Sequence, residues 1–592
     1  MKLNKSIEYM MMAAAMLTAT SCSDFSDYND VKSDVTSSAN QTLWQNIQAN
    51  PELSDFASLI QKSGFSDNLN QSHYYTVWAP LNGTFNVSDY SNLSTANLLK
   101  QFVYNHIADY GHYASGTIDE RVKTINKKSY SFTGSSSYTF DERTVTQTNL
   151  PSNNGVMHVL NGNAMYFPNI YDYVTDKSLN QDKGIDSISS YFKRYEHSYL
   201  DTKSSVVGPI VNGLQTYIDS VMVTYNLLSA AQNANLGEED STYTMLIPTN
   251  KAWNASYNKI KACYNYIATT KAESFVTSSG TVTISSTPLT KTVDNVYLKD
   301  SLTRLYLIRN LVFSNNNKYN VFLKNQTTPT ATDTLYSTTH DKLSNPADML
   351  SQQVAEVKMS NGIGKIVDSL AINSWESYSP ELQVAAYKSN NRARVVNGSV
   401  TNMQMHDSIM SSTGVLVPRK YYYSWIAPTG GYAKPELDMY LPNVLSTTYN
   451  IYCVFAPMAS GKTLPNRVIF TLSYCDASGA LKSQVFYNTN EDSIASFKAR
   501  FPKVTDKATI NAFSNNIANL PDTMYVGQFT FPVCYKGLNT TDAICPNIKI
   551  TSPFPVFNKD LMAAYQRDFC IAAIILKPVE LVEHENANKS TK

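Results

Sequence analysis

A ten-residue segment that occurs twice constrains the fold of this chain more than any other feature. Residues 76–85 are TVWAPLNGTF and residues 244–253 are TMLIPTNKAW. The shared positions are Thr76 and Thr244, Pro80 and Pro248, Asn82 and Asn250, and Phe85 and Trp253. An apolar run that stops at a proline predicts a strand, and the polar residues after it predict a turn or a helix cap. The duplication predicts an internal repeat.

The residues around the first copy extend the pattern. Before it, residues 41–65 contain apolar side chains at spacings of three and four, which predicts two amphipathic helices. After it, an amphipathic segment ends in Tyr104 and His106. An Asn154-Gly155 turn then leads into a short apolar strand that contains His158.

This order resembles the fasciclin family. The resemblance rests on two helices, a T-[VI]-F-A-P-T-N-x-A-F-like segment, a Tyr-His helix and an N-G-V-x-H-V segment, and it covers residues 40–172. The sequence departs from the pattern at Trp78, Leu81 and Thr84, and by Asn105 between Tyr104 and His106. The resemblance implies a fasciclin-like α/β domain.

A second, longer copy follows. It keeps Thr249 and Asn250, and its closing segment SNGIGKIVDSL contains Asn361 and Gly362, with Gly364-Lys365 in place of Met157-His158. Residues 302–313 correspond to the Tyr-His helix but contain no histidine. The Ser/Thr-rich residues 270–294 predict an inserted hairpin or loop. We therefore expect tandem fasciclin-like domains at residues 40–175 and 184–376.

The two motif histidines have two interpretations. His106 and His158 are candidates for catalysis or metal binding, or for satisfied groups of the core. The second copy lacks both histidines, which favours the structural role. We accordingly interpret the motif residues of both copies as structural.

The C-terminal part of the chain has a different sequence pattern. From residue 417 to 592 the chain consists of short apolar or alternating runs separated by Gly, Pro, Asn and Ser, which predicts an all-β sandwich of jelly-roll type. Its strand pattern resembles that of jelly-roll carbohydrate-binding modules. Residues 377–416 are expected to be a linker or helical connector. The predicted fold class is α+β, with two fasciclin-like domains before the sandwich.

The N-terminus resembles that of a bacterial lipoprotein. Residues 1–21 are a short leader in which two lysines precede an apolar segment. Cys22 follows a loose lipobox, and residues 22–39 are a polar, acidic tether. The acidic residues after Cys22 resemble the export signal of Bacteroides-type lipoproteins. This implies acylation of Cys22 and anchoring in the outer membrane with exposure at the cell surface. A secreted protein with a coincidental cysteine is the alternative.

Composition and motifs argue against several functions. Lys plus Arg and Asp plus Glu both total 48, so no basic excess favours nucleic acid. No G-x-S-x-G, H-E-x-x-H, G-x-G-x-x-G or C-x-x-C segment occurs, and we predict a non-catalytic protein without metal or cofactor. The export route permits a disulfide between Cys534 and Cys545, and the sequence leaves its formation open.

Aromatic residues supply the candidate binding site. The chain has 40 tyrosines, which suit recognition surfaces but also follow β content. Tyr421, Tyr422, Tyr423 and Trp425 cluster before a Gly-rich turn. They are candidates for a sugar-stacking platform or a docking contact, and core filling is an equal alternative.

Three function classes remain. A lipoprotein with tandem fasciclin domains and a sandwich domain implies an accessory subunit of a Sus-type nutrient importer. The implied partners are a TonB-dependent barrel and its lid lipoprotein, and the implied ligand is a glycan or peptide. The fasciclin resemblance alone implies an adhesin for host matrix or other cells. A hydrolase in the C-terminal domain is the third. Eight Asp-Ser/Thr-apolar triplets, such as residues 186–188 and 492–494, also resemble acceptor sites for protein O-glycosylation.

Overall fold

The structure, a computed structural model, covers most of the chain. It describes residues 37–590 except 204, 220–221, 268–294, 331, 406–420, 432, 458–463, 516–521, 538–544 and 554–557. The leader, Cys22, most of the tether and the Ser/Thr-rich segment after the second motif copy lie outside the described residues. None of the helices described is both long and apolar enough to span a membrane.

The chain divides into two compact units. The first extends to Ile170 and includes Gly237–Asp240 and Lys358–Asn361, and the second contains the remainder. The two short segments are tied into the first unit by a buried ion pair, in which the Lys128 Nζ donates to Glu239 Oε1 at 2.7 Å and to Ser360 Oγ at 2.8 Å.

The first unit contains helices, single 3-10 turns and a seven-stranded sheet. Its helices and 3-10 turns are Ser37–Asn40, Leu43–Ala49, Pro51–Leu53, Ser54–Ser63, Asn68–Asn70, Ser88–Ser91, Thr95–Gln101 and Val103–His106. Its strands are β1 Tyr75–Pro80, β2 Ile107–Asp109, β3 Ile118–Lys123, β4 Ser129–Gly134, β5 Tyr138–Phe140, β6 Arg143–Ser152 and β7 Gly155–Leu160.

The two predicted N-terminal helices are present and cover one face of the sheet. Thr42 begins the first with a capping box, accepting from the Gln45 N–H. The apolar stripes of the two helices bury Ile47, Phe56 and Ile60 completely, in the same core as Val77 of β1. Burial of this stripe, rather than helix propensity, stabilises such short helices.

The sheet of the first unit closes on itself. Its strand order is β2-β1-β7-β6-β5-β4-β3, with β1 and β7 parallel. An antiparallel bridge between Ala108 and Thr124 joins the first strand to the end of the last. The interior of this barrel is filled by side chains, among them Trp78, which stacks on Phe140 with a centroid distance of 4.2 Å.

The second unit begins with the second motif copy. Its helices there are Ile170–Thr175, which starts at the boundary residue, Asp186–Arg194, Leu228–Gln232, Asn250–Ala262, Asn295–Arg309, Val321–Asn325 and Pro346–Ser351. Its strands there are β8 Glu196–Leu200, β9 Val206–Val211, β10 Leu214–Asp219, β11 Met222–Asn226, β12 Tyr243–Pro248, β13 Val312–Ser314, β14 Leu335–Tyr336, β15 Lys342–Leu343, β16 Gln353–Met359 and β17 Gly362–Val367.

The second copy repeats the strand pairing of the first. The order β13-β12-β17-β16 matches β2-β1-β7-β6, again with the two central strands parallel. Tyr243 pairs with Gly362 as Tyr75 pairs with Gly155. Lys365 therefore occupies the register position of His158, as the sequence predicted.

The residue at the helix cap differs between the two motifs. Thr249 caps the helix Asn250–Ala262 by accepting from the Ala252 N–H. Leu81 stands at this position in the first copy and has no side-chain acceptor. There the next helix is only Ser88–Ser91.

The C-terminal residues form two six-stranded sheets. Their strands are β18 Leu382–Ala385, β19 Arg392–Val396, β20 Gly398–Met405, β21 Tyr421–Pro428, β22 Glu436–Tyr440, β23 Thr448–Phe455, β24 Arg467–Cys475, β25 Leu481–Phe486, β26 Phe513–Ser514, β27 Asp522–Thr530, β28 Asn547–Thr551 and β29 Phe569–Pro578. The helices and 3-10 turns are Ser374–Glu376, Ser389–Asn391, Glu491–Arg500, Lys507–Ile510, Lys559–Ala564 and Val579–Ser590.

The sandwich begins earlier than the sequence predicted. One sheet has the strand order β20-β21-β29-β23-β27, and β18 also pairs with β29. The other sheet has the order β19-β22-β28-β24-β25, and β26 also pairs with β24. The described part of residues 377–416 supplies β18, β19 and β20, so the expectation of a linker or helical connector is wrong. The segment contains helix-compatible residues, but pairing with distant strands decides its conformation.

The second motif copy and the sandwich are joined by backbone hydrogen bonds within the second unit. The Ser446 N–H donates to the Cys263 carbonyl at 2.9 Å, and the Cys534 N–H donates to the Asn265 carbonyl at 2.5 Å. The Tyr266 hydroxyl donates to the Lys536 carbonyl at 2.7 Å. These bonds fix the segment after the helix Asn250–Ala262 against two loops of the sandwich.

Candidate functional site

The asparagines of the two closing turns act as internal braces. Asn154 accepts from the Leu43 N–H at 2.8 Å and donates to the carbonyls of Leu69 and Gln71. Asn361 accepts from the Ile170 N–H at 2.9 Å and donates to the Glu238 carbonyl. Each side chain thus ties the first residue of a helix to the loop before the central strand.

The asparagines of the ten-residue segments have a similar role. Asn82 accepts from the Asp55 N–H at 2.9 Å and donates to the Pro51 carbonyl at 2.8 Å. Asn250 accepts from the Ser187 N–H at 2.8 Å. In both copies the amide satisfies a free N–H in the first turn of a preceding helix.

The remaining motif residues lie in the scaffold. Pro80 and Pro248 end the buried central strands. The Thr76 hydroxyl donates to the Tyr110 carbonyl and the Thr244 hydroxyl donates to Asn315 Oδ1. The aromatic members pack against neighbouring rings or apolar side chains: Phe85, Tyr104 and Trp253.

His106 is held as a neutral ring. It is completely buried, its Nδ1–H donates to the Phe102 carbonyl at 2.8 Å, and its Nε2 accepts from the Ala164 N–H at 2.9 Å. Burial lowers its pKa to about 4. Both ring nitrogens are occupied by backbone, so His106 cannot act as an acid, a base or a metal ligand in this conformation.

His158 is held in the opposite tautomer. Its Nε2–H donates to the His112 carbonyl at 2.8 Å and its Nδ1 accepts from the Asn149 N–H at 3.3 Å. Burial is the main reason that its pKa is lowered to about 4. The ring lies inside the barrel, 5.6 Å from Trp78. It joins β7 to β6 and to the loop after β2, which is a structural role.

The second copy shows what replaces the histidines. Because Met245 pairs with Val312 as Val77 pairs with Ile107, Leu311 occupies the position of His106 and is fully buried. Lys365 replaces His158 and pairs with Glu356 at 2.6 Å. The fold accepts an apolar side chain or an ion pair at these positions. Among the described residues, no cluster of metal-ligating side chains occurs.

The brace formed by Asn154 supports a direct test. Asn154→Ala should destabilise the first unit by about 2–4 kcal/mol, because a buried N–H and two carbonyls lose their partner. Asn153→Ala is the control, since the Asn153 side chain makes one long, exposed bond to the Asn40 carbonyl. Chemical denaturation of both variants measures the difference. Equal stabilities would contradict the assigned role.

The predicted aromatic cluster does not form one surface. Strand alternation places Tyr422 and Tyr423 on opposite faces of β21. Tyr422 is exposed and lies 5.3 Å from Tyr387, whereas Tyr423 is buried. Trp425 is half-buried and its indole N–H donates to Asp568 Oδ2 at 2.9 Å. The side chain of Tyr421 lies outside what the structure describes.

The structure adds two tyrosines to the Tyr423 side of the sheet. Tyr423, Trp425 and Tyr452 belong to one cluster, and Tyr452 pairs across strands with Tyr525, which is 50% exposed. We call Tyr423, Trp425, Tyr452 and Tyr525 the aromatic face. Tyr452 in β23 and Tyr525 in β27 lie far apart in the sequence. The only sequence signal that places them on this side of the sheet is their alternation with buried residues along each strand.

The cysteine pair that the sequence left open is not a disulfide. Cys534 and Cys545 are both buried free thiols. Burial raises the pKa of Cys534 to about 11 and that of Cys545 to about 12, so neither is a reactive thiolate near neutral pH.

A family model matches the first unit. The model of the fasciclin domain matches residues 51–163, which include Asn82, Asn154 and both histidines. This stretch is a fasciclin domain. The match supports a role in binding or adhesion.

Comparisons with other known proteins give matches of low similarity. No curated protein sequence matches the chain. A fasciclin domain pair from the insect cell adhesion molecule Fasciclin I is 12% identical, covering 55% of this chain and 98% of its own, with a TM-score of 0.20. A xylan-binding domain from carbohydrate-binding module family 22 is 10% identical, covering 33% and 92%, with a TM-score of 0.16. A family 22 module of Clostridium thermocellum Xyn10B is 11% identical, covering 32% and 96%, with a TM-score of 0.15.

The motif residues of the fasciclin domain therefore have structural roles. Its motif residues are engaged in backbone hydrogen bonds or packed in its two cores. The second copy keeps the asparagine braces while changing both histidine positions. The candidate binding surface of this chain is the aromatic face of the sandwich.

Proposed function

We propose that this chain is a non-catalytic lipoprotein of the cell surface that serves as an accessory subunit of a Sus-type outer-membrane importer. It docks to a TonB-dependent barrel or its lid lipoprotein and captures a glycan or peptide, without a cofactor. The observation that carries the proposal is that backbone groups occupy both motif histidines, so the fasciclin domain serves as a scaffold. The function of the protein then depends on its binding surfaces.

The aromatic face supplies such a surface. Tyr452 and Tyr525 lie 5.4 Å apart on neighbouring strands, next to half-buried Trp425. Rigid aromatic rings give large contact area at low entropic cost, and they often dominate protein interfaces. The tyrosine hydroxyl groups also suit a polar ligand with an apolar side.

The link between the second fasciclin-like repeat and the sandwich supports the same proposal. Backbone hydrogen bonds at Cys263 and Asn265 and a side-chain hydrogen bond from Tyr266 hold the sandwich on the repeat. A surface that is fixed in this way loses less conformational entropy when a partner binds. A rigid scaffold that presents a binding face is what an accessory subunit requires.

The proposal is tested by purifying the protein from solubilised outer membrane and identifying its partners. We expect a TonB-dependent barrel and its lid lipoprotein to co-purify, and we expect Tyr452→Ala with Tyr525→Ala to reduce their yield at least tenfold. Tyr422→Ala on the opposite face is the control and should leave the yield unchanged. Recovery of matrix proteins instead of a transporter would favour the adhesin alternative. Hydrolysis of glycans or peptides by the wild type would overturn the non-catalytic assignment.

The anchor is tested separately. Cys22→Ser should release the protein from the membrane fraction or leave it unprocessed, because the thiol is the site of acylation. Fractionation and electrophoretic migration measure this, with Cys263→Ser as a cysteine control far from the leader. A variant that fractionates and migrates like the wild type would overturn the lipoprotein assignment.

A further inference from the structure

The interior of the second fasciclin-like repeat contains a cavity where the first repeat is filled. In the first repeat, Trp78 and His158 project from β1 and β7 into the closed barrel and are completely buried. At the same register positions the second repeat has Leu246 and Lys365. Both replacements leave room on the same side of the sheet.

The covering layer also differs between the repeats. Strands β3, β4 and β5 complete the barrel of the first repeat, whereas the sheet of the second ends at β16. The helices Val321–Asn325 and Pro346–Ser351 stand beside the sheet instead, and a cavity of about 350 Å³ lies between them and the central strands. This is at the lower end of the range of about 300–1,000 Å³ for small-molecule sites.

The lining is part apolar and part polar. Phe322, Leu350 and Ile363 form its apolar walls, and Thr244 lines it from the central strand. The Lys365 Nζ donates to Glu356 Oε2 at 2.6 Å and to Gln353 Oε1 at 2.8 Å. The lining thus combines hydrogen-bonding groups with carbon surface.

The charges limit the class of ligand. Lys365 and Glu356 neutralise each other, so a charged ligand would lack a counter-charge in a partly buried site. A neutral ligand with several hydroxyl groups can accept from the ammonium, donate to the carboxylate and pack its C–H surface on Phe322. We propose that this cavity is a binding site for a neutral saccharide unit. The proposal goes beyond the aromatic face and does not depend on importer docking.

Methyl NMR of the full-length protein, labelled at Ile, Leu and Val, tests the site. The probes are glucose, galactose, mannose, xylose, N-acetylglucosamine and their common disaccharides at millimolar concentration, with glucuronate and glucosamine as charged counterparts. At least one neutral sugar should shift the methyl signals of Ile363, Leu323 and Leu350. Shifts at Val454 or Ile575 would instead report on the aromatic face, so the two proposals fail separately.

Variants locate the polar contacts. Lys365→Met should weaken the affinity for the responding sugar at least tenfold, while Lys251→Met, in the exposed pair with Asp368 of the same repeat, should not change it. Glu356→Gln, whose side chain is 47% exposed, serves as a second variant if Lys365→Met disturbs the methyl spectrum. Absence of shifts at the three cavity methyls with every neutral sugar, equal binding of glucuronate, or wild-type affinity in both variants would overturn the proposal.

Discussion

Acidification from pH 7 to pH 4 should destabilise the fasciclin domain by about 6 kcal/mol. His106 and His158 have pKa values of about 4 in the folded protein, against about 6.5 for an exposed histidine. Each difference corresponds to about 3 kcal/mol. This is a large fraction of the stability of an ordinary domain, which is about 5–15 kcal/mol.

The direction of this change in stability with pH follows from proton binding. Between pH 6.5 and 4 the unfolded chain binds a proton at each histidine and the folded chain does not, so stability falls as the pH falls. The contribution is fully present above pH 6.5 and is lost as the pH approaches the folded pKa. The dependence levels off about one pH unit below the folded pKa, where both states bind the proton.

Hydrogen exchange at neutral and acidic pH, corrected for intrinsic rates, measures this effect. Amides of β7 should lose protection across the window, while those of β29, in the sandwich, provide an internal reference. His158→Gln should lower protection at pH 7 by an amount equivalent to about 1–3 kcal/mol and should roughly halve the pH dependence. A wild-type pH dependence in this variant would contradict the assignment of His158.

Gly362→Ala should prevent the second fasciclin-like repeat from reaching its native packing. A Cβ at this position would lie 1.8 Å from the Tyr243 carbonyl oxygen, and the φ of +148° is unfavourable for any residue with a side chain. The close approach of the two central strands in the parallel pair leaves no room for adjustment. We expect a loss of at least 4 kcal/mol, beyond the ordinary range of single substitutions.

The equivalent change in the first repeat provides a second measurement. Gly155→Ala places a Cβ 2.1 Å from the Tyr75 carbonyl oxygen and should be similarly damaging to the fasciclin domain. Gly430→Ala is the control, because no atom lies within 4 Å of its added Cβ. Expression yield, circular dichroism and thermal unfolding of the three variants measure the effect. Wild-type stability of Gly362→Ala would show that the strands are not paired in this register.

Local patterns in the sequence determined the repeat and its elements. Apolar residues at spacings of three and four placed the helices before β1, and the Asn-Gly pair placed the turn before β7. Thr249 predicted a capped helix, because a side-chain acceptor beside a free N–H acts over a few residues only. The structural role of His106 and His158 was also inferred from sequence, since the second copy lacks both.

Long-range contacts decided what the sequence could not. Strands β18 and β19 formed within the expected connector because β29 and β22 offer them partners far along the chain. The Tyr421–Trp425 cluster was divided between two faces by the pleat of β21, and Tyr452 was brought beside Tyr525 by strand pairing. The cavity beside Lys365 exists because helices replace the strands that close the first barrel. Spacing along the chain fixes which local element forms, whereas the pairing of distant strands fixes which side chains share a surface and whether space remains between them.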